Sequence, residues 1–342
     1  MRVLVVSNMY PTKEKPYFGI FVKACVEGYR VEGVSVEISA INGSGLLQYL
    51  RFYFITFFKI IFNRYDFIHV HYVTHSIPPV YLANIFKKQK ILLNFHGSDA
   101  FPEIFESSLR KKIKRFICDK SIPKAVAIIV PSSYFKDKMK SDYPDSKIII
   151  SPSGGVSKKI FKPGNKTGIT VLFAGRMIKE KGPLIAAEAV KTNSTKIDRA
   201  IFIGDGPLLS EVKKILENTE VNTEYYGMLP RNELATLMGE SDIFLFPSTR
   251  EGESLGLVLV ESIFCGCIPL AINNGAVNEI IPEKWRKHLI VKSSELYSNK
   301  LSEILIKFDD VEKLISDLNS HATNFYSFES TAKKLTEELR YV

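Results

Sequence analysis

The run Asp242-Ile-Phe-Leu-Phe246 leads into Pro247-Ser-Thr-Arg-Glu-Gly-Glu-Ser-Leu-Gly-Leu-Val-Leu-Val-Glu-Ser-Ile-Phe-Cys-Gly266, and these residues carry the fold reading. The apolar segment before Pro247 reads as a buried strand. A polar loop and a Ser254-Leu255-Gly256 turn then open an amphipathic helix, which Gly266 ends at a C′-like position. Two carboxylates, Glu253 and Glu261, stand eight residues apart, one just before the helix and one about two turns along it. Both therefore face a ligand lying across the helix start. Unpaired N–H groups at such a start bind phosphate. A carboxylate on either side of a diphosphate suits hydroxyl groups, which together outline a nucleotide sugar.

The same alternation extends in both directions. Expected strands are Arg2–Ser7, Val34–Ala40, Phe67–His71, Ile91–Phe95, Ala127–Val130 and Lys147–Ser151 in the first half. In the second they are Thr170–Ala174, Ala200–Ile203, Glu224–Tyr226, Ile243–Phe246, Cys267–Ala271 and His288–Val291. Strands alternating with helical patterns imply an α/β protein with two doubly wound, Rossmann-like parallel sheets. The polar, turn-rich segment Val156 to Thr167 reads as the linker. Expected domains are thus 1–160 on the acceptor side, 161–325 for the nucleotide sugar, and a final helix at 326–342. In open α/β sheets ligands bind at the C-terminal strand ends, so chemistry is expected in a cleft between two facing domains.

The chain's 342 residues are too many for one ordinary core. With 45% hydrophobic residues and a mean hydropathy of +0.02 it is globular. Its four cysteines, Cys25, Cys118, Cys265 and Cys267, show no metal spacing and fit a reduced, cytoplasmic setting. Met1-Arg-Val-Leu-Val-Val-Ser7 is too short for a signal peptide and reads as a first strand. The net charge of +9 is uneven: residues 1–162 hold 25 Lys and Arg against 12 Asp and Glu, the remainder 21 against 25. A basic front half points to an anionic partner, with nucleic acid and a membrane surface both candidates.

Several motifs carry a resemblance. Glu253-Ser-Leu-Gly-Leu-Val-Leu-Val-Glu261 resembles the Glu-x7-Glu donor motif of retaining GT-B glycosyltransferases of family 4, the group 1 glycosyl transferases. Gly175-Arg176-Met-Ile-Lys-Glu-Lys181-Gly182 is similar to that family's Gly-Arg-x3-Glu-Lys-Gly. Ile203-Gly204-Asp205-Gly206-Pro207 resembles its Gly-x-Gly-Pro strand end, and Gly227-Met228-Leu229 its base-binding turn. The ordered set spans about residues 169 to 282. It implies a GT-B fold of two Rossmann-like domains facing a cleft, with a C-terminal helix from Tyr326-Ser-Phe-Glu329 crossing back to the first domain.

Each site residue has a chemical reason. Arg176 and Lys181 follow a strand at its cleft-facing tip, and Gly182-Pro183 marks a helix start. Cleaving a sugar–phosphate bond leaves negative charge on the diphosphate, which fixed cations stabilise. No Asp-x-Asp motif is present, so neither a metal nor another cofactor is implied. Glu261 would accept from ribose hydroxyls, Glu253 from the transferred sugar, and the amides of Ser254, Leu255 and Gly256 would bind the diphosphate. Asp205 and Glu279 suit either fold support or the site. In the first half, Asn94-Phe-His96-Gly97-Ser-Asp99 resembles the family's His-Gly-x-Asp, whose histidine reaches the donor sugar. Tyr10-Pro11 and Pro16-Tyr-Phe-Gly19 resemble the loop whose glycine, here Gly19, approaches the donor phosphate. His69, His71 and His75 show a metal-like i, i+2 spacing without a third ligand, and structural or acceptor-side roles are expected. Two departures stand out: Ser153-Gly154-Gly155-Val156-Ser157 replaces Asn-Gly-Val-Asp, and Ser254-Leu255 replaces the commoner Gly-Phe.

Two segments bear on membranes. Leu46 to Phe62 is rich in Phe, Tyr, Leu and Ile, too short to span but suited to an interface. Ser107 to Lys120 sets Leu109, Ile113, Phe116 and Ile117 on one helical face and Arg110, Lys111, Lys112, Lys114 and Arg115 around the other. Solvated helices covering the sheet are the plainer reading of both.

The expected activity is a metal-independent, retaining transfer of a hexose-type sugar from a nucleoside diphosphate, UDP favoured over GDP, to a hydroxyl of a glycan or lipid-linked glycan. The N-terminal motifs most resemble bacterial members that build capsular, teichuronic-type or other surface polysaccharide. Nucleic acid is not among the expected partners, and the setting is cytoplasmic with peripheral contact on the inner membrane face. A dinucleotide oxidoreductase would need Gly-x-Gly-x-x-Gly after the first strand. Ser7-Asn-Met-Tyr-Pro11 stands there instead and excludes it. The alternative is a non-catalytic binding or scaffolding subunit, which predicts decay of donor residues, whereas Arg176, Lys181, Glu253 and Glu261 are all present.

Overall fold

A computed structural model describes the chain apart from residues 14, 16, 17, 42, 44, 102–105 and 251 and the side chains of 309 and 312. It divides into two compact units, Met1–Gly155 with Phe328–Val342, and Val156–Ser327. In the first, β1 (Arg2–Ser7), β2 (Ser35–Ala40), β3 (Phe67–His71), β4 (Ile91–Asn94), β5 (Ala127–Val130) and β6 (Ile148–Ile150) form one parallel sheet, ordered β2-β1-β3-β4-β5-β6. The helices α1 (Ile20–Val31), α2 (Leu46–Phe62), α3 (Val73–Phe86), α4 (Ser108–Ser121) and α5 (Ser133–Asp142) connect them. Covering both sheet faces makes the strands apolar throughout. Leu4 and Val6 point into a core shared with Phe52, Val80 and Phe135, and Val3 and Val5 into one shared with Val22 and Val26.

The second unit repeats the plan with β7 (Thr170–Ala174), β8 (Arg199–Ile203), β9 (Asn222–Tyr226), β10 (Ile243–Phe246), β11 (Ile268–Ile272) and β12 (Ile290–Val291), ordered β12-β11-β10-β7-β8-β9. Its helices are α6 (Pro183–Thr192), α7 (Leu209–Leu216), α8 (Arg231–Gly239), α9 (Leu257–Phe264), α10 (Val277–Ile280), α11 (Glu283–Leu289), α12 (Tyr297–Ile306), α13 (Phe308–Glu312) and α14 (Ile315–Tyr326). The chain enters at β7, runs outward to β9, then returns to lay β10 on the other side of β7. That reversal is a topological switch point, where such sheets open a crevice at their C-terminal ends.

The last helix, α15 (Phe328–Leu339), lies on α1 within the first unit. Leu335 and Leu339 join the Val3–Val5 core. Contact is close at Gly28, where an added Cβ would stand 2.9 Å from Ala332 Cβ.

Three expectations shift. Val156 to Thr167 is part of the second unit, because Val156 and Phe161 are buried among its Lys, Pro and Gly neighbours. The Val156 N–H donates to Tyr326 O (2.8 Å) and the Gly164 N–H to Gly239 O (3.0 Å). His288 and Leu289 belong to α11, whose Leu289 is fully buried, so β12 starts at Ile290. Tyr326 ends α14, and the final helix begins at Phe328.

Candidate active site

The strands flanking the switch point of the second unit carry the expected donor residues at their tips. Gly175 and Arg176 follow β7, and the loop 247–256 follows β10. Glycines let these tips close on one another. Gly182 has φ +70° and caps α6 so near the β10 loop that a Cβ would stand 2.4 Å from Pro247 O. A Cβ on Gly204 (φ +127°) would stand 2.0 Å from Gly175 O. Side chains at these positions would force the strand tips apart.

Glu253 sits inside this ring. It is 8% exposed, paired with the Lys181 ammonium, and accepts from Ser248 Oγ at 3.1 Å. Burial alone would raise its pKa, but Lys181, Arg250 and Ser248 more than offset this and hold it below the usual range, so the carboxylate is charged. The turn after β11 buttresses the loop: Asn274 Nδ2 donates to Ser248 O (3.2 Å) and Arg250 O (2.9 Å). Gly275 (φ +57°) lies where a Cβ would be 2.8 Å from Glu253 O.

Gly256, at φ +79°, is the N-cap of α9 and brings no side chain of its own to cap that helix. Leu255 is buried directly before it. Glu261 is 4% exposed on the same helix. Arg231 Nη2 lies 2.6 Å from its Oε1, yet that oxygen has no well-aligned hydrogen bond among the described residues, so the pair is electrostatic and off-axis. Burial pushes the Glu261 pKa up, against the opposing pull of Arg231. Arg231 is itself fixed, its guanidinium 4.7 Å from the Phe161 ring centroid. Arg176 and Met228 are exposed, Met228 at 64%. The Asp205 carbonyl receives the Met177 N–H at 2.8 Å, which ties the β7 loop to the end of β8.

The first unit has its own switch point, between β1 and β3, and histidines gather there. His71 Nδ1 and His96 Nε2 are 3.1 Å apart, Tyr29 Oη and His69 Nδ1 2.8 Å, and Asn94 Nδ2 and His69 Nε2 3.2 Å. Burial lowers the pKa of all three histidines, His69 and His96 to about 3. His96 is therefore a neutral imidazole, held between the Phe21 ring (4.3 Å) and the Tyr72 ring (6.4 Å). Tyr72 adopts φ +56°, costly for a non-glycine residue and commonest at functional sites. Asp99 accepts from the N–H groups of His96 and Gly97, both at 2.9 Å, which shapes the loop.

The structure supplies what the histidine spacing lacked: Cys25 brings a third ligand atom to within 4.8 Å of His69 and His71. Both ring nitrogens of His69 are nevertheless engaged within the protein, and burial raises the Cys25 thiol to about 12. Gly19 (φ +72°) meets the chain's own backbone, a Cβ there standing 2.6 Å from Met9 C, which is reason enough for glycine at the start of α1. Pro16 and Tyr17 of that loop lie outside the described residues, as does Glu251.

The basic residues expected on α4 divide. Lys114 turns inward, pairing with Glu106 (2.7 Å) and donating to Ser98 O (2.7 Å). Arg115 pairs with Asp119 (3.0 Å) and Asp142 (2.7 Å). Arg110 and Lys112 are exposed and Lys111 half-buried, so the basic face is narrower than its periodicity implies.

Sequence comparison agrees with this layout. Residues 2–154 match the model for Glycosyltransferase Family 4, and residues 156–318 that for Glycosyl transferases group 1. The chain belongs to the family 4, group 1 glycosyltransferases and is an enzyme of that class. A protein of unassigned activity from the cps region of Klebsiella pneumoniae is 26% identical over 284 residues, covering 78% of this chain and 72% of its own length. The UDP-Gal:alpha-D-GlcNAc-diphosphoundecaprenol alpha-1,3-galactosyltransferase of Escherichia coli is 24% identical over 282 residues, covering 75% and 66%. Anabaena HepE, solved in complex with UDP and glucose, superposes with a TM-score of 0.76 at 15% identity over all of both chains. The paired six-stranded sheets are the GT-B fold.

Proposed function

We propose that this enzyme moves a hexose-type sugar, with retained anomeric configuration, from a nucleoside diphosphate, UDP favoured, to a hydroxyl of a glycan or lipid-linked glycan in bacterial surface polysaccharide synthesis. The observation that carries the reading is the Lys181–Glu253 pair at the switch point, beside the glycine start of α9. The diphosphate would take the α9 amides and the cations Arg176 and Lys181, Glu261 would accept from the ribose, and Glu253 from the sugar. As the glycosidic C–O bond breaks, its electron pair passes to the β-phosphate oxygen, where these cations and amides offset the new charge without a metal. The acceptor hydroxyl forms the new bond on the same face and gives its proton to that phosphate. Glu253, engaged by Lys181 and Ser248, is not placed as a free nucleophile, which favours this front-side route.

The relatives support the donor and acceptor classes: the E. coli enzyme is named for UDP-Gal and a diphosphoundecaprenol-linked sugar, and HepE was solved with UDP. The test is a donor screen across UDP and GDP sugars on chelator-treated protein, following nucleotide release and the anomeric configuration of the product. Release from UDP sugars, with product of the donor's configuration, is expected. Strict metal dependence or an inverted product would overturn the reading.

A further inference from the structure

We propose that the outer face of α2, α3 and α4 docks on an anionic lipid bilayer. This goes beyond the donor chemistry and rests on the first unit alone. Twenty large apolar side chains are exposed among the described residues, and twelve of them lie on these three helices. The helices are neighbours, α2 packing on α3 and α3 on α4, so their outer sides form one layer over the sheet.

The patch exceeds what the core uses: α4 meets the core through Ile117 and Cys118 and keeps a second apolar stripe on its outer side. Leu109 (66% exposed), Ile113 (49%) and Phe116 (62%) recur at i, i+4 and i+7 along its outer side. Lys114 takes the inward position. Holding a lysine half-buried through an ion pair while exposing phenylalanine runs against what water selects. On α2, Phe52 and Ile60 face the core with Thr56, while Phe54 (64%) and Phe62 (75%) stand exposed on the outer side. On α3, Ile85 (63%) and Phe86 (71%) add to the layer.

Charge selects the occupant. The three helices hold eight Lys and Arg against the single acid Asp119. The first unit carries 25 Lys and Arg against 15 Asp and Glu, the second 21 against 22. Apolar side chains flanked by exposed Arg51, Arg110 and Lys112 fit acyl chains beneath phosphate headgroups. A second copy of so basic a face would repel it. Among the described residues no helix is long and apolar enough to cross a membrane, so the contact is interfacial.

The test is co-sedimentation of the full chain with vesicles of phosphatidylcholine alone or with roughly one-third phosphatidylglycerol. Pelleting with the anionic vesicles, weakened by high salt, is expected. Ile113→Ser with Phe116→Ser should lower partitioning roughly tenfold or more, by loss of inserted apolar area. Arg110→Gln with Lys112→Gln should lower it about 10- to 30-fold. Both pairs change exposed side chains, and Ile306→Ser, exposed on the second unit, should change nothing. Failure to pellet with anionic vesicles, or pelleting by both double variants equal to that of the wild-type chain, would overturn the proposal. So would lipid-free dimerisation, in sedimentation velocity, that the same substitutions abolish.

Discussion

Lys181 and Glu253 form a nearly buried ion pair between the loops that follow β7 and β10, so the two strand tips at the switch point are joined electrostatically before any ligand arrives. Removing one partner leaves the other as an uncompensated charge. Lys181→Ala should therefore cost about 3 kcal/mol of stability in the second unit and lower turnover by roughly 100-fold or more. Adding Glu253→Gln should restore part of the stability and none of the turnover. Denaturant melts and single-turnover rates check this; purely additive losses of stability would show that the pair is not coupled.

The under-satisfied carboxylate of Glu261 gives a second expectation. Glu261→Ala should weaken nucleotide binding about 10- to 100-fold, the range for a lost hydrogen bond to a charged group. Because burial holds its pKa up, nucleotide affinity should begin to fall, on acidification, at a pH above the ordinary glutamate range. Calorimetric titration with UDP across pH reads both effects, and an acid limb no higher than that of an exposed glutamate would refute the second.

Steric closeness at the strand tips is testable with the smallest possible side chain. Gly204→Ala places a methyl group 2.0 Å from Gly175 O in a backbone conformation that alanine rarely adopts. A loss of about 2–3 kcal/mol is expected, with weaker UDP binding, because the tips must part. Gly33→Ala shares a positive φ, +74°, but meets nothing within 4 Å, so it should show only the conformational cost.

The histidine cluster sets the acid limit of the first unit. His69 and His96 fall from about 6.5 unfolded to about 3 folded, so between those values the unfolded chain binds more protons and stability drops as pH falls. From pH 7 to 5 the two together should cost about 4 kcal/mol. Asp99, raised to about 6, acts in the opposite sense: the folded form takes the proton first and returns about 1 kcal/mol. Melting of the wild-type chain against His69→Asn over pH 5 to 7 checks this, the variant losing less on acidification. His96 should contribute no limb to the activity profile above about pH 4.

Much of this was legible because fully buried parallel strands are continuous apolar runs, which fixed five strands to the residue: Arg2–Ser7, Phe67–His71, Ala127–Val130, Thr170–Ala174 and Ile243–Phe246. Glu253, Glu261, Arg176 and Lys181 stood out because their motifs are local. Partners supplied by the fold did not. Arg231 reaches Glu261 from the start of α8, and Cys25 reaches the histidines because α1 packs on the sheet. No spacing encodes either meeting. Periodicity gave α4 an apolar stripe but not its direction, which depends on Glu106 and the Ser98 carbonyl capturing Lys114.

The seam between Gly28 and Ala332 also orders events during synthesis. The ribosome releases α1 before α15, with the whole contiguous second unit made in between. Until then Val22, Val26 and Tyr29 have no Leu335 or Leu339 to cover them. Nascent chains stalled after Ser327 should stay protease-sensitive around α1 while the second unit already resists digestion.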